Sequence, residues 1–150
     1  MGTWVRTMKL FCSAERIATI GVTALLTSTV SIAAATDERG GLFSRSQADR
    51  GAKIYAEHCA LCHGLNLEGK GAPALSGAVF QAKWADGKHT LDDLYYIIRT
   101  SMPSSAPGKL SQQQYVDLVA YILRSNGYRE GEQELVANTA TLRAVTIQPQ

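Results

Sequence analysis

Cys59-Ala60-Leu61-Cys62-His63 decides how the rest of this 150-residue chain is read. Two thiols spaced Cys-x-x-Cys with a histidine directly after the second form the c-type haem attachment pattern. The spacing has a chemical cause. Each thiol adds across one of the two haem vinyl groups, and the imidazole that follows is then held against the iron as an axial ligand. Competing readings lack the residues they need. A structural zinc site takes four ligands, and apart from Cys12 the chain offers only these two cysteines with His58, His63 and His89. A thioredoxin-like redox pair wants a strand and βαβ context, whereas helical patterning precedes the motif. A plain disulfide leaves the adjacent histidine unexplained.

A second axial ligand is sought among the methionines. Met1 and Met8 lie at the N-terminus, which leaves Met102 in Arg99-Thr100-Ser101-Met102-Pro103. The proline disfavours helix at Met102 and pushes its backbone toward an extended shape, so the sulfur can project from a loop. Met/His ligation raises the haem potential relative to harder ligands, which suits an acceptor of electrons from a dehydrogenase. The alternatives are that Met102 fills a gap in the core, leaving the iron five-coordinate, or that His89 binds the iron. His89 sits in polar Gly87-Lys88-His89-Thr90 and reads as an exposed loop residue. His58, on the attachment helix, reads as pointing away from the iron.

The N-terminus looks like an export signal. Arg6, Lys9 and Arg16 precede an uncharged run through Ile20, Val22, Leu25, Leu26 and Val30 that closes at Ala33-Ala34-Ala35, an A-x-A cleavage site. Residues 1–35 are therefore expected to be removed, Cys12 with them, giving a periplasmic protein with no membrane attachment. An uncleaved anchor is disfavoured because Thr19, Thr23, Thr27, Ser28, Thr29 and Ser31 dilute the run. The full chain carries 15 basic and 13 acidic residues, and the mature part 12 of each. A neutral chain without a Lys/Arg cluster has no electrostatic basis for binding nucleic acid.

Helical patterning organises what remains. Ala48, Gly51, Ala52, Tyr55, Ala56 and Cys59 recur at the spacing of an amphipathic helix face that delivers its end to the haem, with Ser46 as N-cap. Residues 65–76 read as a glycine-rich loop containing Pro73, whose carbonyl can accept the spare N–H of His63 and fix the ring. Thr90 and Asp93 form a weaker capping box for a helix over 91–99 that offers Leu94, Tyr95, Ile97 and Ile98 for burial. Ser111 with Gln114 is a second box, and Leu110 with Tyr115 has the spacing of a hydrophobic staple. Tyr115, Leu118, Val119 and Ile122 make one stripe of the final helix, which Asn126-Gly127 stops. The simplest arrangement crosses this helix with the first, close at Gly51, with Tyr55 and Tyr121 filling the contact. No strand pattern competes, and residues 36–45 and 136–150 read as extended or mobile.

Over residues 46–128 the chain resembles the class I c-type cytochromes. The resemblance rests on Gly51 and Tyr55, on Cys59, Cys62 and His63, on Pro73-Ala74-Leu75, on Met102-Pro103, and on Asp117-Leu118-Val119-Ala120-Tyr121. It implies an all-α class I cytochrome c fold, three to four helices wrapped around one covalently attached haem c. It also implies His63 and Met102 as iron ligands and the Pro73 carbonyl as support for His63. On this reading 36–45 is a linker, 46–128 the cytochrome domain and 129–150 a C-terminal extension. More finely, Trp84, Arg99-Thr100-Ser101-Met102-Pro103 and Pro107-Gly108-Lys109-Leu110-Ser111 are similar to the cytochrome modules associated with pyrroloquinoline-quinone alcohol dehydrogenases. There, by similarity, Trp84 or Tyr95 hydrogen-bonds a haem propionate.

The resemblance thus implies a periplasmic carrier of single electrons and not an enzyme, with a quinoprotein dehydrogenase as donor and a terminal oxidase or another cytochrome as acceptor. Two rivals stand beside it. One is a tightly bound cytochrome subunit of a dehydrogenase or sulfur-oxidising complex. The other is a haem enzyme or sensor with an open iron position. A single Cys-x-x-Cys-His gives a dihaem peroxidase no second site.

Overall fold

Ser44 opens the first helix of a computed structural model that describes residues 40–150. The expected export signal and cleavage site, and Cys12, lie outside the described residues. The Ser44 backbone is extended, and its hydroxyl accepts from the Gln47 N–H at 3.1 Å. Helix α1 accordingly spans Arg45–His58 and starts ahead of the expected cap, Ser46. Ser46 instead shares a 2.9 Å hydrogen bond with the Ser44 hydroxyl. Gln47, which the apolar stripe passes over, is fully buried. Its side-chain amide donates to the Leu135 carbonyl at 2.9 Å and accepts from the Leu135 N–H at 2.8 Å, replacing the water it gives up.

A four-residue helix α2, Ala60–His63, carries the attachment motif, and a third helix α3 spans Gly77–Trp84. The sequence reading has no helix at α3, whose apolar residues do not gather on one face and whose Ser76 N-cap makes no side-chain capping bond. Helix α4, Leu91–Ser101, begins at the Thr90/Asp93 capping box, and α5, Gln112–Ser125, at the Ser111/Gln114 box. Gly127, with φ +84, ends α5 as expected. The described residues thus hold six helical segments, α6 being Thr139–Arg143. None of them is long and apolar enough to cross a membrane.

The first and last long helices cross with backbone nearly on backbone. At Gly51 an added Cβ would overlap the Asp117 carbonyl and lie 2.9 Å from the Tyr121 Cβ. Tyr55 and Tyr121 pack beside the crossing, centroids 5.2 Å apart and planes tilted by 50°. On its flank Asp117, 2% exposed, accepts a two-pronged contact from Arg50 at 2.9 and 3.0 Å. Arg50 in turn holds Glu134 at 2.8 and 3.0 Å, joining α1, α5 and the C-terminal segment.

Residues 40–45 and 136–150, expected to be extended or mobile, are packed against the domain, the first of them in extended conformation. Phe43 is fully buried, and β1 (Phe43–Ser44) pairs in parallel with β2 (Glu130–Gly131). Two-residue strands leave no periodic trace in a sequence. At the C-terminus α6 buries Leu142 completely, and Ile147 is buried beyond it. The Leu91 N–H donates to the Val145 carbonyl and the Ile147 N–H to the His89 carbonyl, each at 2.9 Å, and Arg143 meets Asp92 at 2.8 Å. The tail therefore pins the start of α4. One amphipathic turn with a single buried leucine is too short to announce itself by periodicity.

Replacing Gly51 by valine should destabilise the protein by about 3 kcal/mol, because overpacking here pushes on a backbone that cannot yield. A urea titration followed by circular dichroism measures this. The Arg50 guanidinium holds the Glu134 carboxyl below its usual range. A depressed folded pKa gives stability that is present above the unfolded value and lost as pH falls through the folded one. Glu134→Gln should therefore narrow the difference in melting temperature between about pH 7 and about pH 3, compared with wild type.

Candidate functional site

The loop that follows α2 folds back over the motif that precedes it. The Cys62 carbonyl accepts from the N–H groups of Lys70, Gly71 and Ala72 at 3.2, 2.9 and 2.9 Å, and the His63 carbonyl from the Gly69 N–H at 2.7 Å. This hairpin of carbonyls sets the position of Pro73, whose own carbonyl lies 2.8 Å from His63 Nδ1. Nδ1 donates there, because a carbonyl can only accept, and Nε2 is left with its lone pair free. Tyr55 closes the other flank, its hydroxyl donating to the Gly64 carbonyl at 2.7 Å.

His63, Cys59 and Met102 all line one cavity. Its walls are otherwise nearly all apolar: Leu75 and Val79 from one side, Leu94, Ile97 and Ile98 from α4, Leu118 and Ile122 from α5. Of the residues the sequence offers for burial on α4, Ile98 is half-buried against the core, while Ile97 is 42% exposed and lines both this cavity and a neighbouring cleft. An adjoining cleft shares Cys59, His63 and Met102 and adds Cys62 and the 103–106 turn. Met102 caps α4 with extended backbone, φ −125 and ψ 151, as its following proline requires.

The donor set fits a covalently attached haem. Both thiols are free, one imidazole nitrogen is tied back and one is available, and a thioether opens on the same apolar space. A thioredoxin-like pair fits less well, since such motifs lower a thiol pKa whereas burial pushes the Cys59 thiol up to about 11. Among the described residues no cluster of His, Cys, Asp or Glu could hold a free metal ion.

Of the two residues expected near a propionate, Trp84 lines the cavity and a second cleft shared with Lys83, His89 and Asp93. Tyr95 does not line the cavity. The cavity face of α4 is Leu94, Ile97 and Ile98, and Tyr95 is turned off that stripe, with the Arg99 guanidinium 5.8 Å from its ring. His89 pairs with Asp86 at 3.0 Å and lies edge-on to Trp84, at 5.4 Å between ring centres, outside the cavity. His58 is exposed and lines only the adjoining cleft.

One residue that shapes the site was read only as part of a helix stop. Asn126 is buried and donates to the Leu75 carbonyl at 2.9 Å and the Ile122 carbonyl at 2.8 Å, while its amide oxygen accepts from the Gly77 N–H at 3.0 Å. It thereby fastens the end of the Pro73 loop to α5. In sequence it shows only as an asparagine ahead of a stop glycine.

The family described as cytochrome c oxidase, cbb3-type, subunit III matches residues 46–122. A thiosulfate dehydrogenase of Stutzerimonas stutzeri (strain A1501) is 35% identical over 80 residues, covering 49% of this chain and 25% of that protein. The crystal structure of the sulfane dehydrogenase SoxCD from Paracoccus pantotrophus superposes with a TM-score of 0.54 at 26% identity, covering 73% of this chain and 55% of that one. The chain thus spans a quarter of the curated relative's length and about half of the solved chain's.

Asn126→Ala strands the Leu75 carbonyl and the Gly77 N–H and should cost about 2 kcal/mol in chemical denaturation, more than a surface substitution does.

Proposed function

Because the chain belongs to the family of cytochrome c oxidase, cbb3-type, subunit III, and is a monohaem c-type cytochrome that transfers electrons, we propose that it works in the periplasm between a dehydrogenase and a terminal oxidase or another cytochrome. Cys59 and Cys62 attach haem c, His63 and Met102 are its axial ligands, and the Pro73 carbonyl fixes the His63 ring. Trp84, with Lys83, meets the propionate edge. The observation that carries this reading is the placement of His63, its Nδ1 already occupied, and of Met102 on one apolar cavity with Cys59.

Haem c supplies a one-electron ferric/ferrous couple. The work of the polypeptide is to hold ligands and exclude water. The apolar walls and the thioether both favour the less charged, reduced state, and Met/His ligation raises the potential. No side chain has to act as nucleophile or general base.

The donor we propose is a dehydrogenase of sulfur compounds, with this chain as a bound subunit or docking partner. Two similar proteins bear such names, thiosulfate dehydrogenase and sulfane dehydrogenase. A quinoprotein alcohol dehydrogenase, the donor implied by the finer sequence resemblance, is the second candidate. The docking surface is apolar: Leu61 inside the motif and Leu65 just beyond it are 84% and 77% exposed, and the mature chain carries no net charge to steer association.

The test is spectroscopic and kinetic. Ferric wild type should show the methionine-to-iron charge-transfer band, and Met102→Ala should lose it and show a lower potential; a band unchanged in Met102→Ala overturns the ligand assignment. In stopped-flow mixing, a thiosulfate-oxidising dehydrogenase with its substrate should reduce the cytochrome faster than an alcohol dehydrogenase does, and the reverse order overturns the donor class. Raising ionic strength from about 0.01 M to about 0.15 M should change that rate by less than about threefold.

A further inference from the structure

Tyr115 is fully buried in the first turns of α5, yet its hydroxyl reaches out of the core to the backbone of the loop that carries Met102. It donates to the Met102 carbonyl at 2.9 Å and accepts from the Leu110 N–H at 3.4 Å, so one oxygen holds both ends of residues 102–110. Among the described residues these are the only side-chain hydrogen bonds that reach this loop. The remaining bonds are the Met102 N–H to the Ile98 carbonyl at 2.9 Å, which closes α4, and local turns from the Ala106 N–H to the Pro103 carbonyl at 2.8 Å and from the Lys109 N–H to the Ala106 carbonyl at 3.3 Å. Ser104, Ser105, Pro107, Gly108 and Lys109 are exposed. A loop with so few attachments opens locally at low cost unless something ties it to the core.

We propose that Tyr115 is a positioning residue for the Met102 thioether, its hydroxyl setting how often the methionine side of the site is open to other ligands. The ring alone completes the staple with Leu110 and fills the core; the hydroxyl adds the constraint on the loop. A ligand that competes with Met102 binds with an apparent affinity scaled by the fraction of molecules whose loop is open. Losing one hydrogen bond of ordinary strength raises that fraction about fivefold. The inference rests on Met102 being an axial ligand.

The experiment titrates imidazole into the ferric holoprotein and records the charge-transfer band and the melting temperature for wild type, Tyr115→Phe, Met102→Ala and Tyr128→Phe. The last removes a hydroxyl that donates to the Gln148 carbonyl at 2.6 Å, away from the loop. Tyr115→Phe should bind imidazole about fivefold more tightly with a weakened band, Met102→Ala more tightly still, and Tyr128→Phe like wild type even if it melts earlier. If Met102→Ala tightens binding but Tyr115→Phe matches wild type, or if Tyr128→Phe tightens it as much as Tyr115→Phe, the positioning role is overturned while the ligand assignment stands. If Met102→Ala binds imidazole like wild type, the ligand assignment fails and the positioning role with it.

Discussion

Where α1 meets α5 no side chain stands between the two backbones, and the geometry of the site follows from that contact. With Gly51 against the Asp117 carbonyl, α1 is carried close under α5 and must end where its last residues open into the cavity. The same crossing brings Leu118 and Ile122 of α5 to the cavity that the Cys59 end of α1 also lines. Burying Asp117 beside the contact is tolerated because Arg50 meets both of its oxygens. Glu134 then takes up the rest of that guanidinium and brings the C-terminal segment onto the same knot.

From this crossing the two sides of the cavity are built by different means. On the histidine side the constraint is dense and mostly backbone: the carbonyls of Cys62 and His63 gather the loop, Pro73 fixes the ring, and Asn126 fastens the loop's far end. On the methionine side the loop is exposed and sparsely tied, its links to the core being the end of α4 and the hydroxyl of Tyr115. An electron-transfer site gains from rigidity, since little then has to reorganise when the charge changes. The bracing is thus uneven, and the methionine side is the less tied of the two.

What was legible in the sequence was whatever has a short-range chemical signature. The attachment motif, the capping boxes at Thr90 and Ser111, the extended backbone ahead of Pro103 and the close approach at Gly51 each depend on a few neighbouring residues or one small one. Helix α3 was not legible, because its eight residues lack a segregated face and a capping bond. Nor were the paired strands at Phe43 and Glu130 or the packed C-terminal turn, which exist only through contacts with distant parts of the chain. The same holds for side chains. Gln47, Asn126 and Tyr115 look ordinary in sequence and acquire their roles from backbone groups that folding brings to them. Tyr95, which the resemblance offers beside Trp84 as a propionate donor, stands one position off the face of α4 that lines the cavity.

Every ligand and wall of this site presupposes a haem fixed through Cys59 and Cys62, and the most direct measurement is peptide mass analysis of the protein after trypsin digestion and thiol alkylation. The peptide between Lys53 and Lys70 should carry the added mass of one haem and take up no alkylating reagent. Recovery of that peptide at its unmodified mass, with both thiols alkylated, would contradict the account.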